Sequence, residues 1–166
     1  MKKISIKYQE VGDAARFFEI LKNPNFIYFY LKIKSLSYER AHLKKEVLKR
    51  KNNLEWNYTI LYGDDIVGGI GFKINQFRKY IGELGYFIDE KYWGQGIASK
   101  AVKLMEKEGF KKLGLSRIEI LMRPENKGSE KVAIKNDYKK EGLLKKFIID
   151  NRDGKMKDVW IYAKTK

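Results

Sequence analysis

GELGYFIDEKYWGQGIAS, residues 82–99, is the stretch of sequence that decides the fold class of this chain. Its first part, Gly82 to Asp89, has the composition of a strand. Two glycines, Gly94 and Gly96, then precede the apolar positions of a long helix predicted from Ile97 to Leu113. Glycines let backbone N–H groups point inward, and a helix N-terminus adds a partial positive charge. The stretch therefore predicts a strand–turn–helix unit suited to holding a pyrophosphate.

Strand and helix patterns continue on both sides of this unit. Alternating and apolar runs predict strands at 4–8, 56–62, 66–74, 115–122, 143–149 and 156–163. Helical patterns follow Asp13 and cover 37–52 and 126–136. Neither a repeat nor a linker interrupts the chain, so we expect a single mixed α/β domain over residues 1–166, with mostly antiparallel strands.

Composition excludes several classes of site. The chain has 166 residues, no cysteine and one histidine. The lack of cysteine excludes a disulfide scaffold, a thiol nucleophile and cysteine-ligated metals, and one histidine excludes multi-histidine metal sites. We therefore predict no metal. With no apolar run of 18 residues and no signal peptide at the N-terminus, we expect a cytoplasmic protein that does not enter a membrane.

The formal net charge is +15, from 36 basic and 21 acidic residues. Such a surface favours anionic partners such as nucleic acid, ribosomes or acidic proteins. A solvated, lysine-rich surface without a specific partner is the other interpretation, because nowhere do five basic residues stand in a row.

Three cofactor classes use a glycine turn before a helix. A P-loop would need Gly-Lys-Ser/Thr, which is missing. Gly94, Gly96 and Ser99 loosely imitate a dinucleotide motif, with Glu119 at the acidic position, but the loop from Asp89 is too long for its tight turn. Coenzyme A is the third class, and a glycine turn without a ligand remains a further alternative.

Five ordered motifs give the chain a family resemblance. They are Gly82–Tyr86, Tyr92–Ala98, Gly114–Glu119, Pro124–Asn126 with Ser129, and Lys140–Leu143, with Gly154, Lys155 and Asp158 near the end. In these motifs the chain resembles the GNAT superfamily of N-acetyltransferases, above all the subgroup that acetylates the N-terminal alanine or serine of ribosomal proteins. The resemblance implies a mixed, mostly antiparallel twisted sheet of about seven strands flanked by about four helices.

The resemblance also implies site residues and a co-substrate, acetyl-CoA. It gives Glu83 as the general base acting through water and Ser129 as the proton donor to the leaving thiolate. It gives the aromatic run 26–30, with Tyr28 and Tyr30, as acceptor-binding. The cofactor-binding residues it implies are Phe87, Ile88, Trp93, Gly94, Gln95, Gly96, Ile97, Ala98, Ser99 and Asn126.

The chain departs from the family pattern at three places. Trp93 stands where Gln or Arg is usual, Asn136-Asp137-Tyr138 replaces Leu-Gly-Phe, and Ala133 occupies the position of a tyrosine that many relatives use as general acid. The missing tyrosine and the net charge of +15 both argue against a polyamine acceptor.

The resemblance and the composition together predict direct acetyl transfer in a ternary complex, since there is no cysteine to carry the acyl group. A protein or peptide α-amine, for instance of a ribosomal protein, is the first candidate acceptor. Small amines (a polyamine, an antibiotic or an amino sugar) are the alternative. A basic, non-catalytic nucleic-acid-binding or ribosome-binding module of the same fold is the rival from another class. The sequence leaves open whether the protein is a monomer or a homodimer.

Overall fold

The computed structural model describes residues 2–28, 35–150 and 152–166. Within these ranges seven strands form one sheet and five α-helices cover its faces. The strands are β1 (Ile4–Tyr8), β2 (Glu55–Tyr62), β3 (Asp65–Ile74), β4 (Ile81–Ile88), β5 (Arg117–Met122), β6 (Lys139–Ile149) and β7 (Met156–Thr165). The helices are α1 (Ala14–Leu21), α2 (Leu36–Leu43), α3 (Glu46–Lys51), α4 (Ile97–Lys107) and α5 (Lys127–Lys135).

The sheet has the strand order β1-β2-β3-β4-β5-β7-β6. Every neighbouring pair is antiparallel except β4 and β5, which run parallel. Two parallel strands need a crossover, and α4 provides it. The predicted fold class, a mostly antiparallel sheet of about seven strands flanked by helices, is confirmed.

Helices pack on both faces of the sheet. On one face α4 buries an apolar stripe of Ile97, Ala101 and Met105 against β3, β4 and β5. On the other face α1 and α2 bury Phe17 and Leu43, which pack with Phe87 of β4. The faces of β4 therefore alternate between the main core and the α1–α2 layer, as the period of two in a strand requires.

Three element boundaries differ from the sequence prediction. The helix expected over 37–52 is two helices, because Leu43 is buried while Val47 and Leu48 are exposed, so no single apolar stripe runs through. The helix expected over 97–113 ends at Lys107 and continues as a π-helical turn over Glu108–Lys112.

The last difference concerns β6. This strand begins at Lys139 rather than Leu143, since its polar first residues pair with β7 at the edge of the sheet. No helix in the described part of the chain is long and apolar enough to cross a membrane.

Candidate active site

A cleft opens where β4 and β5 separate. The two strands pair only from Ile81 with Arg117 to Glu83 with Glu119. From Leu84 onward β4 keeps β3 as its neighbour, but no described strand pairs with it on the β5 side. The resulting cleft has a volume of about 550 Å³ and reaches from β4 to α2 and the start of α5.

Alternate residues of β4 direct their backbone groups into this cleft. Asn75 N–H donates to Ile81 and Asp89 N–H donates to Val67, so the odd-numbered residues of β4 bond to β3. The N–H and C=O groups of Tyr86 and Ile88 consequently face away from β3. An unpaired strand edge of this kind accepts an added extended chain. The backbone groups of Phe87 bond to β3 instead, and the cofactor-binding role expected of Phe87 and Ile88 stays a prediction.

The strand leads directly to the predicted glycine turn. Gly94 and Gly96 have φ values of 75° and 74°, in the left-handed region where glycine is favoured. Gly96 is the N-cap of α4 and offers no side chain to the first helical N–H groups, which are thus available to an anion. A Cβ built on Gly96 would lie 4.0 Å from Nζ of Lys135, which places a cation of α5 beside the turn.

The other predicted residues of the turn differ in what their side chains do. The Trp93 indole N–H donates to the Ile88 carbonyl at 2.7 Å and joins the turn to β4. Ile97 is buried in the core, and Ala98 packs against it. The Ser99 hydroxyl is buried and accepts a hydrogen bond from Asn136 at 2.9 Å, so its side chain joins α4 to the end of α5. Gln95 donates to the Lys91 carbonyl at 3.2 Å.

Glu83 projects from the point where β4 and β5 begin to separate. Its cross-strand neighbours are Lys73 on β3 and Glu119 on β5. Burial raises the pKa of the Glu83 carboxyl; Lys73 opposes this shift and Glu119 adds to it. Glu83 nevertheless has solvent access through the cleft. A carboxylate with a raised pKa and access to water is a stronger proton acceptor than an ordinary one.

Gly85, two residues further along β4, leaves room beside this carboxylate. A Cβ built on it would meet no described atom within 4 Å. The space over Gly85 is therefore open to a second substrate.

Ser129 contacts Tyr86, a partner that the sequence does not predict. Its hydroxyl oxygen lies 2.9 Å from that of Tyr86, and both residues line the cleft. Burial raises the pKa of Tyr86 to about 12, with Ser129 acting in the opposite direction. Tyr86 was noticed only as part of a motif, because nothing in the sequence relates β4 to α5.

Asn126 and Ala133 hold structural positions on α5. The Asn126 side chain caps the helix by accepting from Ser129 N–H at 3.1 Å, and it also lines the cleft. Ala133 is fully buried and brings no hydroxyl into the site.

Tyr28 lies at the rim of the cleft, whereas Tyr30 and Phe29 fall outside the described residues. The Tyr28 hydroxyl donates to the Glu125 carbonyl at 3.3 Å, and the Arg123 guanidinium lies 5.5 Å from its ring centre. The predicted acceptor-binding role of Tyr28 stays a prediction.

The wall opposite β4 carries acidic side chains that the sequence analysis did not single out for this role. Glu39 and His42 of α2, with Glu55 and Asn57 of β2, line the cleft, and Glu46 of α3 lies fully buried behind them. Lys49 bonds to Glu46 at 2.9 Å and to Glu55 at 2.8 Å.

His42 is half-buried. Burial and then Lys49 lower its pKa, against the effect of Glu46 and Glu55. The ring is accordingly neutral at pH 7. Across the described ranges, no three acidic or histidine side chains are grouped so as to hold a metal ion.

Comparisons with known proteins agree with this geometry. The family model of the acetyltransferase (GNAT) domain matches residues 6–139. An uncharacterized N-acetyltransferase, p20, of Bacillus licheniformis is 34% identical over 100 residues, which cover 60% of this chain and 55% of that protein. The match thus spans little more than half of that relative's length. The ribosomal-protein-serine acetyltransferase of Escherichia coli K12 is 30% identical over 127 residues, covering 75% of this chain and 69% of that protein.

The architecture is also found among solved structures. The microcin C7 self-immunity acetyltransferase MccE, solved in complex with acetyl-CoA and AMP, superposes with a TM-score of 0.88 over 99% of this chain and 93% of that one. Its sequence identity is 24%, so the likeness is one of fold.

Proposed function

The chain belongs to the GNAT acetyltransferase domain family, and from this premise we propose that it transfers an acetyl group from acetyl-CoA to a primary amine. The single observation that carries the proposal is the unpaired edge of β4 that ends at the Gly94–Gly96 turn. An extended arm with amide groups can pair with a free strand edge, and a pyrophosphate fits a helix N-terminus. These two sites follow one another in the order in which coenzyme A carries its thiol arm and its pyrophosphate.

From this order we infer that the reacting end of the arm lies beside Glu83. Acetyl-CoA supplies an acyl group activated as a thioester. Glu83 accepts the proton of the acceptor ammonium through water, which leaves the nitrogen lone pair free to attack. A backbone N–H on the free edge of β4 polarises the carbonyl oxygen.

As the C–N bond forms and the C–S bond breaks, the sulfur leaves as a thiolate and takes a proton from the Tyr86–Ser129 pair. The new amide nitrogen loses its second proton to water, and water returns a proton to the hydroxyl pair. The chain contains no cysteine, so the acyl group passes directly to the amine without a thioester on the protein.

For the acceptor, we infer a protein or peptide α-amine as the first candidate. The relative named for ribosomal-protein serine supports this assignment, as do the five motifs shared with that subgroup. The open space over Gly85 supports it too, since a backbone can enter there without meeting a side chain.

Release of free thiol from acetyl-CoA tests the proposed activity. A short peptide with a free N-terminal serine is compared with the same peptide bearing a blocked N-terminus, and hexylamine serves as a small-amine acceptor. We expect amine-dependent thiol release that the blocked peptide does not support. If no amine produces release while the protein binds nucleic acid or ribosomes, the non-catalytic interpretation replaces this one.

A further inference from the structure

Glu39 is a buried carboxylate whose side chain has no bonding partner among the described residues. Only 7% of the residue is accessible, and it lines the cleft from α2. Its backbone N–H bonds to Ser35, but within residues 2–28, 35–150 and 152–166 its side chain has neither a hydrogen bond nor an ion pair. Leaving a buried charge unpaired is costly, so such a group is retained where something else meets it.

The surroundings of Glu39 are rich in carboxylates. Glu46 and Glu55 add two further carboxylates, and both bond to the same cation, Lys49. His42 is neutral at pH 7, as its lowered pKa indicates. Two of these three carboxylates, Glu46 and Glu55, therefore share the Lys49 ammonium, while the Glu39 side chain bonds to no cation among the described residues.

The acidic wall lies within reach of the reacting end. Glu83 is paired across β3, through Lys73, with Glu55 on β2. Two strand spacings separate Glu55 from Glu83, about 10 Å between backbones. Lys73 of β3 lies between them, and the next positions on the same face of β3 and β4 are glycines: a Cβ at Gly71 would collide with Asn57, and over Gly85 the space is open.

We propose that the cleft selects a primary amine that carries a second cationic group, and that the Glu39 carboxylate receives this second group while the first amine reacts beside Glu83. The inference rests on the proposed acetyl transfer and specifies its acceptor. It reverses the expectation drawn from the net charge of +15. Exposed charges further away than about 10 Å are screened by salt at 0.1 M, whereas charges inside a cleft are screened much less. The local wall thus outweighs the average surface.

Pairs of acceptors that differ in the second cationic group test whether that group is recognised. Diaminohexane is compared with hexylamine, and serine-lysine amide with serine-norleucine amide, at one pH and one ionic strength. An ion pair to a partly buried carboxylate favours the dication by about tenfold or more in kcat/KM. The two pairs of acceptors also distinguish a small diamine from a peptide with a basic side chain.

Glu39→Gln should reduce the dication-to-monocation ratio to within about threefold of one. Glu19→Gln is the matched control, because it removes an acidic charge from neighbouring α1, where Glu19 bonds to Arg16 and faces away from the cleft. This control should keep the ratio. Equal kcat/KM values for both members of each pair in the wild-type protein, or an unchanged ratio in Glu39→Gln, would overturn the inference.

A measurement of amine binding that does not require acetyl transfer distinguishes this inference from the proposed activity. The shift in melting temperature of the protein with diaminohexane is compared with that with hexylamine, in the wild type and in Glu39→Gln. A larger shift with the diamine that the variant loses supports the cation site, even if no amine releases thiol and the proposed activity fails. Equal shifts, together with transfer to both amines alike, leave the activity standing and overturn the site.

Discussion

The hydroxyl oxygens of Tyr86 on β4 and Ser129 on α5 lie 2.9 Å apart, and their contact joins the two elements across the head of the cleft. Ala133, where relatives in the resembling family place a tyrosine, is buried and has no hydroxyl to give. The pair therefore brings a phenol into the site from a different element. Because a hydroxyl pair can relay one proton, the two residues are expected to act as a unit on the leaving thiolate.

Tyr86→Phe and Ser129→Ala should each lower kcat by roughly tenfold or more, the size expected for a lost proton donor. The double variant should lose little beyond the larger single effect, since residues that act as a unit are not additive. Steady-state kinetics and calorimetric acetyl-CoA affinities measure both effects. If the kcat loss of the double variant equals the product of the two single losses, the residues serve separate roles.

Glu83→Gln should lower kcat/KM by roughly 100-fold while acetyl-CoA affinity stays near the wild-type value, as expected for a lost general base. In the wild type, activity should fall as the pH falls through the raised pKa of Glu83. That acidic limb should disappear in the variant.

Glu119→Gln is the companion measurement for this prediction. Glu119 contributes to the raised pKa of Glu83 and bonds to Arg117 at 2.6 Å, so its loss should move the acidic limb to lower pH. An unchanged pH profile in both variants would assign the amine's deprotonation to another group.

Gly96→Asp should weaken acetyl-CoA binding by at least about tenfold, or 1.4 kcal/mol, from an expected micromolar affinity of about −8 kcal/mol. The new carboxylate stands where a phosphate must sit and can also take up the Lys135 ammonium. Gly114→Asp is a control for backbone strain, because Gly114 has a φ of 69° and equally open surroundings. Equal calorimetric affinities in the two folded variants would place the pyrophosphate elsewhere.

The fold and the cofactor turn could be predicted because their signals are local. Only Gln95 separates Gly94 from Gly96 in the chain, and both glycines adopt the left-handed backbone that favours glycine. Asp137 shows that a residue other than glycine can also occupy this backbone region. It replaces the glycine of the family pattern, yet it keeps a positive φ of 64°, which aspartate tolerates better than most residues.

The chemistry of the cleft could not be predicted in the same way, because it depends on which faces meet. Tyr86 reaches a serine 43 residues later, and Lys135 lies beside a glycine 39 residues earlier. The sequence does not distinguish Glu39 from acidic residues such as Glu19, and only the packing of α2 against the sheet buries it. Periodicity identifies the buried face of a helix, but it does not identify what that face is buried against.

Glu39→Gln should stabilise the protein at pH 7 in the absence of any amine. Burial and then Glu46 raise the pKa of Glu39, with Lys49 opposing them, so the folded state favours the protonated form. For a raised pKa, the stabilisation is present below the ordinary pKa of 4.5 and is lost as the pH rises through the raised value. Glutamine resembles the protonated carboxyl at every pH. Urea unfolding should accordingly give the variant the larger unfolding free energy at pH 7 and nearly the wild-type value at pH 4.

Glu130→Gln is the control for this last prediction, because its shift has the opposite sign. Hydrogen bonds from Lys127 and Tyr162 lower the pKa of Glu130 to about 2, so its stabilisation is present above the ordinary pKa and is lost as the pH falls through the lowered value. This variant should be the less stable one at pH 7, and the difference should shrink as the pH falls. A Glu39→Gln protein that is also less stable at pH 7 would show that the Glu39 carboxylate already has a stabilising partner. A more stable Glu39→Gln protein would show that the Glu39 carboxylate lowers the stability of the wild type. That cost is expected of a group retained for ligand binding rather than for folding.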